Sequence, residues 1–77
     1  MEQEILKELK RIYKYIEINV EYNDIRQYLI IVKINKCETK FIYIYDAKLT
    51  FNANISTIEQ EIDKIIIKYY TGVDINV

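Results

Sequence analysis

The chain has 77 residues, 51% of them hydrophobic and 30% charged, with 11 basic and 12 acidic side chains, one cysteine, one glycine and no proline or histidine. That length holds a single domain, with a thin stability margin because so short a chain buries only about 60–65% of its unfolded surface. A net charge of −1 provides no field to draw in nucleic acid or an anionic membrane, and the lone Cys37 excludes an internal disulfide and fits a reducing compartment.

An amphipathic helix is expected over residues 2–16, because Ile5, Leu9, Ile12 and Ile16 recur at helical spacing, with Leu6 and Tyr13 widening the stripe. Glu2 and Glu4 at its start and Lys10, Arg11 and Lys14 toward its end suit the helix dipole. The period then changes to two. In "IEINVEY", Ile18, Val20 and Tyr22 alternate with Asn19 and Glu21, which reads as a strand with one wet face before an Asn23-Asp24 turn. A second strand is expected over 27–34, a turn over "NKCE" and a third strand over 40–46, with "LTF" as a short fourth. Ser56-Thr57-Ile58-Glu59 has the form of a capping box. It opens a second helix over 57–71 that carries Ile58, Ile62, Ile65, Ile66 and Tyr69 and stops at Gly72. The last residues, "VDINV", alternate and read as a tail strand or a frayed end. The fold class is therefore α+β: an αβββα order, with a three- to four-stranded antiparallel sheet and both helices packed on one face.

The hairpin "YLIIVKINKCETKFIYIY" is apolar on both alternating faces, so its register decides what each face carries. A two-residue loop at Lys36-Cys37 would oppose Lys33 to Lys40, an unfavourable like-charge pair. A three-residue loop, Lys36-Cys37-Glu38, sets Ile31 opposite Tyr43. It gives the helices a floor of Tyr28, Ile30, Val32, Ile34, Ile42 and Ile44. The other face then carries Leu29, Ile31, Lys33, Phe41, Tyr43 and Tyr45, an aromatic patch of a size that marks interaction sites and the candidate partner-binding surface. Its covering is expected to be a foreign partner or a second copy of the chain; the alternatives are that it is simply structural, or that "LTF" or "VDINV" folds over it.

The chemistry of an enzyme is missing from the residue inventory. Without histidine the usual general base and the commonest metal ligand near neutral pH are missing. Cys37 has no dyad partner, the only serine is used as a helix cap, and one glycine cannot build a phosphate-cradling loop. Glu59 and Asp63 share a helix face but suit a first helical turn without any metal. Glu17, Asn19 and Glu21, followed by Asp24, make an acidic, solvated strand face. Lys10, Arg11 and Lys14 are offset by Glu8 and Glu17, which leaves only a weak nucleic-acid footprint, and nucleic acid is not the expected partner. No catalytic residue, cofactor or metal ligand is expected. The N-terminal "MEQEILKELKRIYKYIE" lacks the apolar core of a signal peptide, and the longest apolar run, 28–32, is far short of a membrane span. The expectation is a cytoplasmic protein without membrane attachment.

Phe, Tyr, Met, Ile, Asn and Lys make up 43 of the 77 residues, and Gly, Ala, Arg and Pro only 5, the signature of an AT-rich gene. The αβββα order is similar to that of double-stranded-RNA-binding domains. The positions that contact RNA in that family here read "STIEQE", so this resemblance extends to topology alone. In size, AT-rich composition and the placing of a charged N-terminal helix before the hairpin "QYLIIVKINKCETKFIYIYD", the chain resembles small phage and mobile-element inhibitors, above all anti-CRISPR proteins. That resemblance implies a non-enzymatic inhibitor that occludes a host effector, such as a CRISPR nuclease complex. The near-neutral charge argues against DNA mimicry. The alternative is a small structural or assembly subunit that self-associates through the same sheet face.

Overall fold

The computed structural model describes residues 1–72 and builds them in the order α1 (Glu2–Ile12), β1 (Glu17–Asp24), β2 (Gln27–Ile34), β3 (Cys37–Ile44) and α2 (Phe51–Thr71). The three strands form one antiparallel sheet in chain order, β1-β2-β3. Both helices lie on one side of it, as the single apolar stripe of each requires. Ile5 and Leu9 of α1 and Ile55, Ile58 and Ile62 of α2 share one core with Ile18, Val20, Ile30, Val32 and Ile34 of the sheet. Six of those side chains (Ile5, Leu9, Ile30, Val32, Ile58 and Ile62) are fully excluded from solvent; truncating any of the five Ile and Leu side chains among them to alanine would cost roughly 2–5 kcal/mol. No helix among the described residues is long and apolar enough to cross a membrane.

Helix α1 ends four residues earlier than its stripe predicts. Tyr13 leaves the helical region at φ −108°, ψ 87°, and its hydroxyl donates to Asp63 Oδ1 at 2.7 Å and to the Glu59 carbonyl at 3.2 Å. Bonding to α2 thus takes the place of another helical turn. Strand β1 runs on to Asp24, with a bulge between Tyr22 and Asp24. The turn consequently falls at Ile25-Arg26, where Arg26 takes φ 58°.

The β2–β3 register differs from the expected one. Ile34 pairs with Cys37, so the loop is the two residues Asn35-Lys36, with Asn35 at φ 56°, a left-handed conformation that asparagine tolerates. Lys33 then lies opposite Glu38, not Lys40, and Ile31 opposite Lys40, not Tyr43. The displacement is three residues. An odd slip exchanges the faces of every side chain on the slipped strand, so β3 presents Phe41 and Tyr43 to the helices and Ile42 and Ile44 to the opposite side.

The expected fourth strand at "LTF" is the start of α2. Thr50 is its N-cap, and its hydroxyl accepts from the Ala53 amide at 3.1 Å. Ser56 lies one and a half turns inside the helix and caps nothing. At the other end Gly72 takes φ 67° and its amide donates to the Lys68 carbonyl at 2.9 Å, the expected left-handed stop. The tail "VDINV" lies outside the described residues.

Candidate interaction surface

On the side of the sheet away from the helices, the register sets four rows of side chains from β1 across β2 to β3. The first is Glu17, Lys33 and Glu38; the second is Asn19, Ile31 and Lys40; the third is Glu21, Leu29 and Ile42. In the fourth, Gln27 stands between Asp24 and Ile44. Aliphatic side chains therefore occupy one corner of the face, Leu29 and Ile31 on the central strand and Ile42 and Ile44 on β3. Ile42 is 48% and Ile44 64% exposed, and no described element covers them. Ile25, 75% exposed in the adjoining turn, lies at the same end of the sheet. The opposite corner is charged: Lys40 Nζ lies 3.6 Å from a Glu38 carboxylate oxygen, and Glu17 and Glu21 stand exposed along β1.

Of the six residues the sequence nominates, Leu29, Ile31 and Lys33 lie on this open face. Phe41, Tyr43 and Tyr45 do not. Tyr43 is buried in the core, and Phe41 and Tyr45 pack half-buried against it. The open face is thus aliphatic, not aromatic, and Ile42 and Ile44 belong to it. A charge signal could have found this register, since only a loop at Asn35-Lys36 opposes Lys33 to an acidic partner.

The tyrosine on the inner side has a specific task. Its hydroxyl donates to Asn54 Oδ1, which also accepts from the Asp46 amide at 2.9 Å. Asn54 Nδ2 donates to the Asp46 and Thr50 carbonyls at 3.0 and 2.9 Å. Asn54 is wholly buried and satisfied at every donor and acceptor, so it ties the end of β3, the 45–50 connection and the first turn of α2 into one unit. Burial raises the Tyr43 phenol above its ordinary pKa, and burial does the same to Tyr28. Tyr13 is raised by burial first and then by its hydrogen bond to Asp63.

Two of the remaining polar groups singled out by the sequence are engaged. The Arg11 guanidinium bonds Glu8 and holds its carboxyl below the usual range. Asp63 is engaged by Tyr13. Between the C-terminal half of α2 and the start of β3 lies an open cleft of about 450 Å³ that includes Cys37, Thr39, Lys64, Lys68 and Tyr69. Cys37 is exposed there with a free thiol, and Glu61, which also lines the cleft, pairs with Lys64 at 3.3 Å. No group of three metal-ligating side chains occurs among the described residues. No protein-family model, no curated protein sequence and no solved structure matches the chain.

Proposed function

We propose that this chain is a non-enzymatic binding protein that docks the open face of its sheet onto another protein and inhibits that protein by occlusion. The observation that carries the reading is the corner of Leu29, Ile31, Ile42 and Ile44, rimmed by Glu21, Lys40 and Gln27 and uncovered by any described element. An apolar centre with a polar rim is the ordinary anatomy of a protein interface. The residue inventory, without histidine and with a single serine and cysteine, supports binding over catalysis. Size, AT-rich usage and the helix-before-hairpin order favour a phage-borne inhibitor of a host defence effector, acting in the host cytoplasm.

A plasmid-interference assay with a panel of CRISPR nucleases tests this. Expression of the chain should restore survival of the targeted plasmid against at least one effector. Ile44→Glu and Leu29→Glu should abolish the rescue while leaving the fold intact, since hot-spot truncations cost at least about tenfold in affinity. Undiminished rescue by both variants would remove the open face from the reading, and failure against every effector would remove the inhibitor.

A further inference from the structure

The two edges of the sheet are finished differently, and the difference can be read amide by amide. In an antiparallel ladder, alternate residues turn both backbone polar groups toward the neighbouring strand and the residues between turn theirs away. The Tyr45 amide donates to the Arg26 carbonyl at 2.6 Å, and that pair continues the β2–β3 register past Gln27 and Ile44. Cys37, Thr39, Phe41 and Tyr43 therefore bond β2, and Glu38, Lys40, Ile42 and Ile44 direct their N–H and C=O groups to the outer edge. Carried across β2, the same alternation turns Ile18, Val20 and Tyr22 outward on β1.

Those β1 amides are already engaged. The Val20 N–H donates to Asn19 Oδ1 at 3.0 Å, and the Tyr22 N–H donates to the Glu2 carboxylate of α1. Helix α1 packs along β1, and the bulge at Tyr22/Asp24 breaks its pairing pattern. Side-chain bonds, bulges and covering helices are the devices by which proteins close a sheet edge. Strand β3 has none of these three, and the charged side chains that also guard edges are confined to its first half, at Glu38 and Lys40. It runs eight residues without a register shift, and its second half, Phe41 to Ile44, is apolar throughout. Among the described residues no hydrogen bond reaches its outward groups.

We propose that the free edge of β3 is a strand-addition site whose occupant is β3 of a second copy of this chain, in antiparallel array about a twofold axis normal to the sheet. The inference is independent of what the open face binds. Such an axis keeps both helix layers on one side and joins the sheets into one of six strands. The register follows from the residues. With Phe41 on the axis, all four outward residues of one copy bond all four of the other; Glu38 meets Ile44, Lys40 meets Ile42, and Phe41 faces Phe41. Centring on Lys40 instead would oppose two lysines, which is unfavourable. The dimer also sets the two aliphatic corners side by side.

Sedimentation equilibrium on the full chain, from micromolar to millimolar, should give a mass rising from 9.3 kDa toward twice that. Amide exchange at Lys40, Ile42 and Ile44 should slow as the dimer forms. Ile42→Lys places like charges opposite Lys40 twice and should weaken the dimer by about tenfold, whereas Ile42→Glu places opposite charges there and should preserve or tighten it. An apolar face-to-face contact would be weakened by both. A monomeric mass throughout with fast exchange at these amides would overturn the proposal, and so would equal weakening by the two variants. Protection of the same amides in a strict monomer would assign the edge to residues 73–77 of the chain itself, and the second copy would be wrong.

Discussion

Replacing Asn54 by alanine is the substitution expected to damage the fold most for its size. The side chain makes four hydrogen bonds from a wholly buried position, to the Tyr43 hydroxyl, the Asp46 amide and the carbonyls of Asp46 and Thr50. At about 1 kcal/mol net for each bond, and more for any group left dry and unpaired, the loss comes to about 3–4 kcal/mol. A 77-residue chain has roughly 4–12 kcal/mol in total at ~0.05–0.15 per residue, so Asn54→Ala removes about a quarter of it or more. Urea unfolding followed by circular dichroism should show the midpoint falling by about 3 M at a slope of about 1 kcal/mol/M, and melting should fall by roughly 12–30 °C. Tyr43→Phe deletes one bond of the four and should cost about 1 kcal/mol. Asn54→Asp keeps the volume but turns a carboxylate toward two carbonyls. It should be at least as damaging near neutral pH and partly relieved in acid, where that carboxyl is protonated. Were Asn54→Ala to fall within 1 kcal/mol of the wild type, on the order of a single net hydrogen bond, the reasoning that makes this residue the joint between β3 and α2 would be refuted.

The start of α2 can be checked by a pair of substitutions: Thr50→Ala should cost about 1 kcal/mol as a lost N-cap, and Ser56→Ala, exposed within the helix, should be neutral or slightly stabilising. Tyr13, Tyr28 and Tyr43 favour their neutral forms in the folded chain. Stability is therefore complete below the ordinary phenol pKa of about 10 and falls as pH rises past it, because the unfolded chain ionises first. An ultraviolet titration should find these three of the eight tyrosines ionising late, and Tyr28→Phe should flatten the alkaline loss of urea stability. Gly72→Ala, at φ 67°, should cost about 1 kcal/mol and fray the last turn of α2.

Where periodicity alone decides, the elements could be read from the residues. The stripe of Ile5 and Leu9, the alternation of Ile18 and Val20, the span of β2 and the stop at Gly72 all stand as their spacing predicts. Two features escaped that kind of reading for separate reasons. The faces of β3 depend on one parity choice. It is settled by Asn35 accepting a left-handed backbone and by Lys33 meeting Glu38, and neither shows in the pattern of apolar residues. The first turn of α2 contains Asn52 and Asn54, poor helix formers beside an alternating Leu49-Thr50-Phe51. Only the tertiary bonds of Asn54 make helix the better state there, and those partners are not visible to local propensity. The candidate surface inherited the first of these errors, exchanging Ile42 and Ile44 for Phe41 and Tyr43.

Because the strands neighbour one another in the order they are synthesised and two-residue turns join them, the sheet can zip from either hairpin with almost no loop entropy to overcome. The distant encounter is that of the two helices, marked by Tyr13 reaching Asp63 across fifty positions of chain. The search for the native state is thereby concentrated in one late docking event. The sheet's own assembly should be fast, and substitutions at the helix–helix seam should speed unfolding far more than they slow folding.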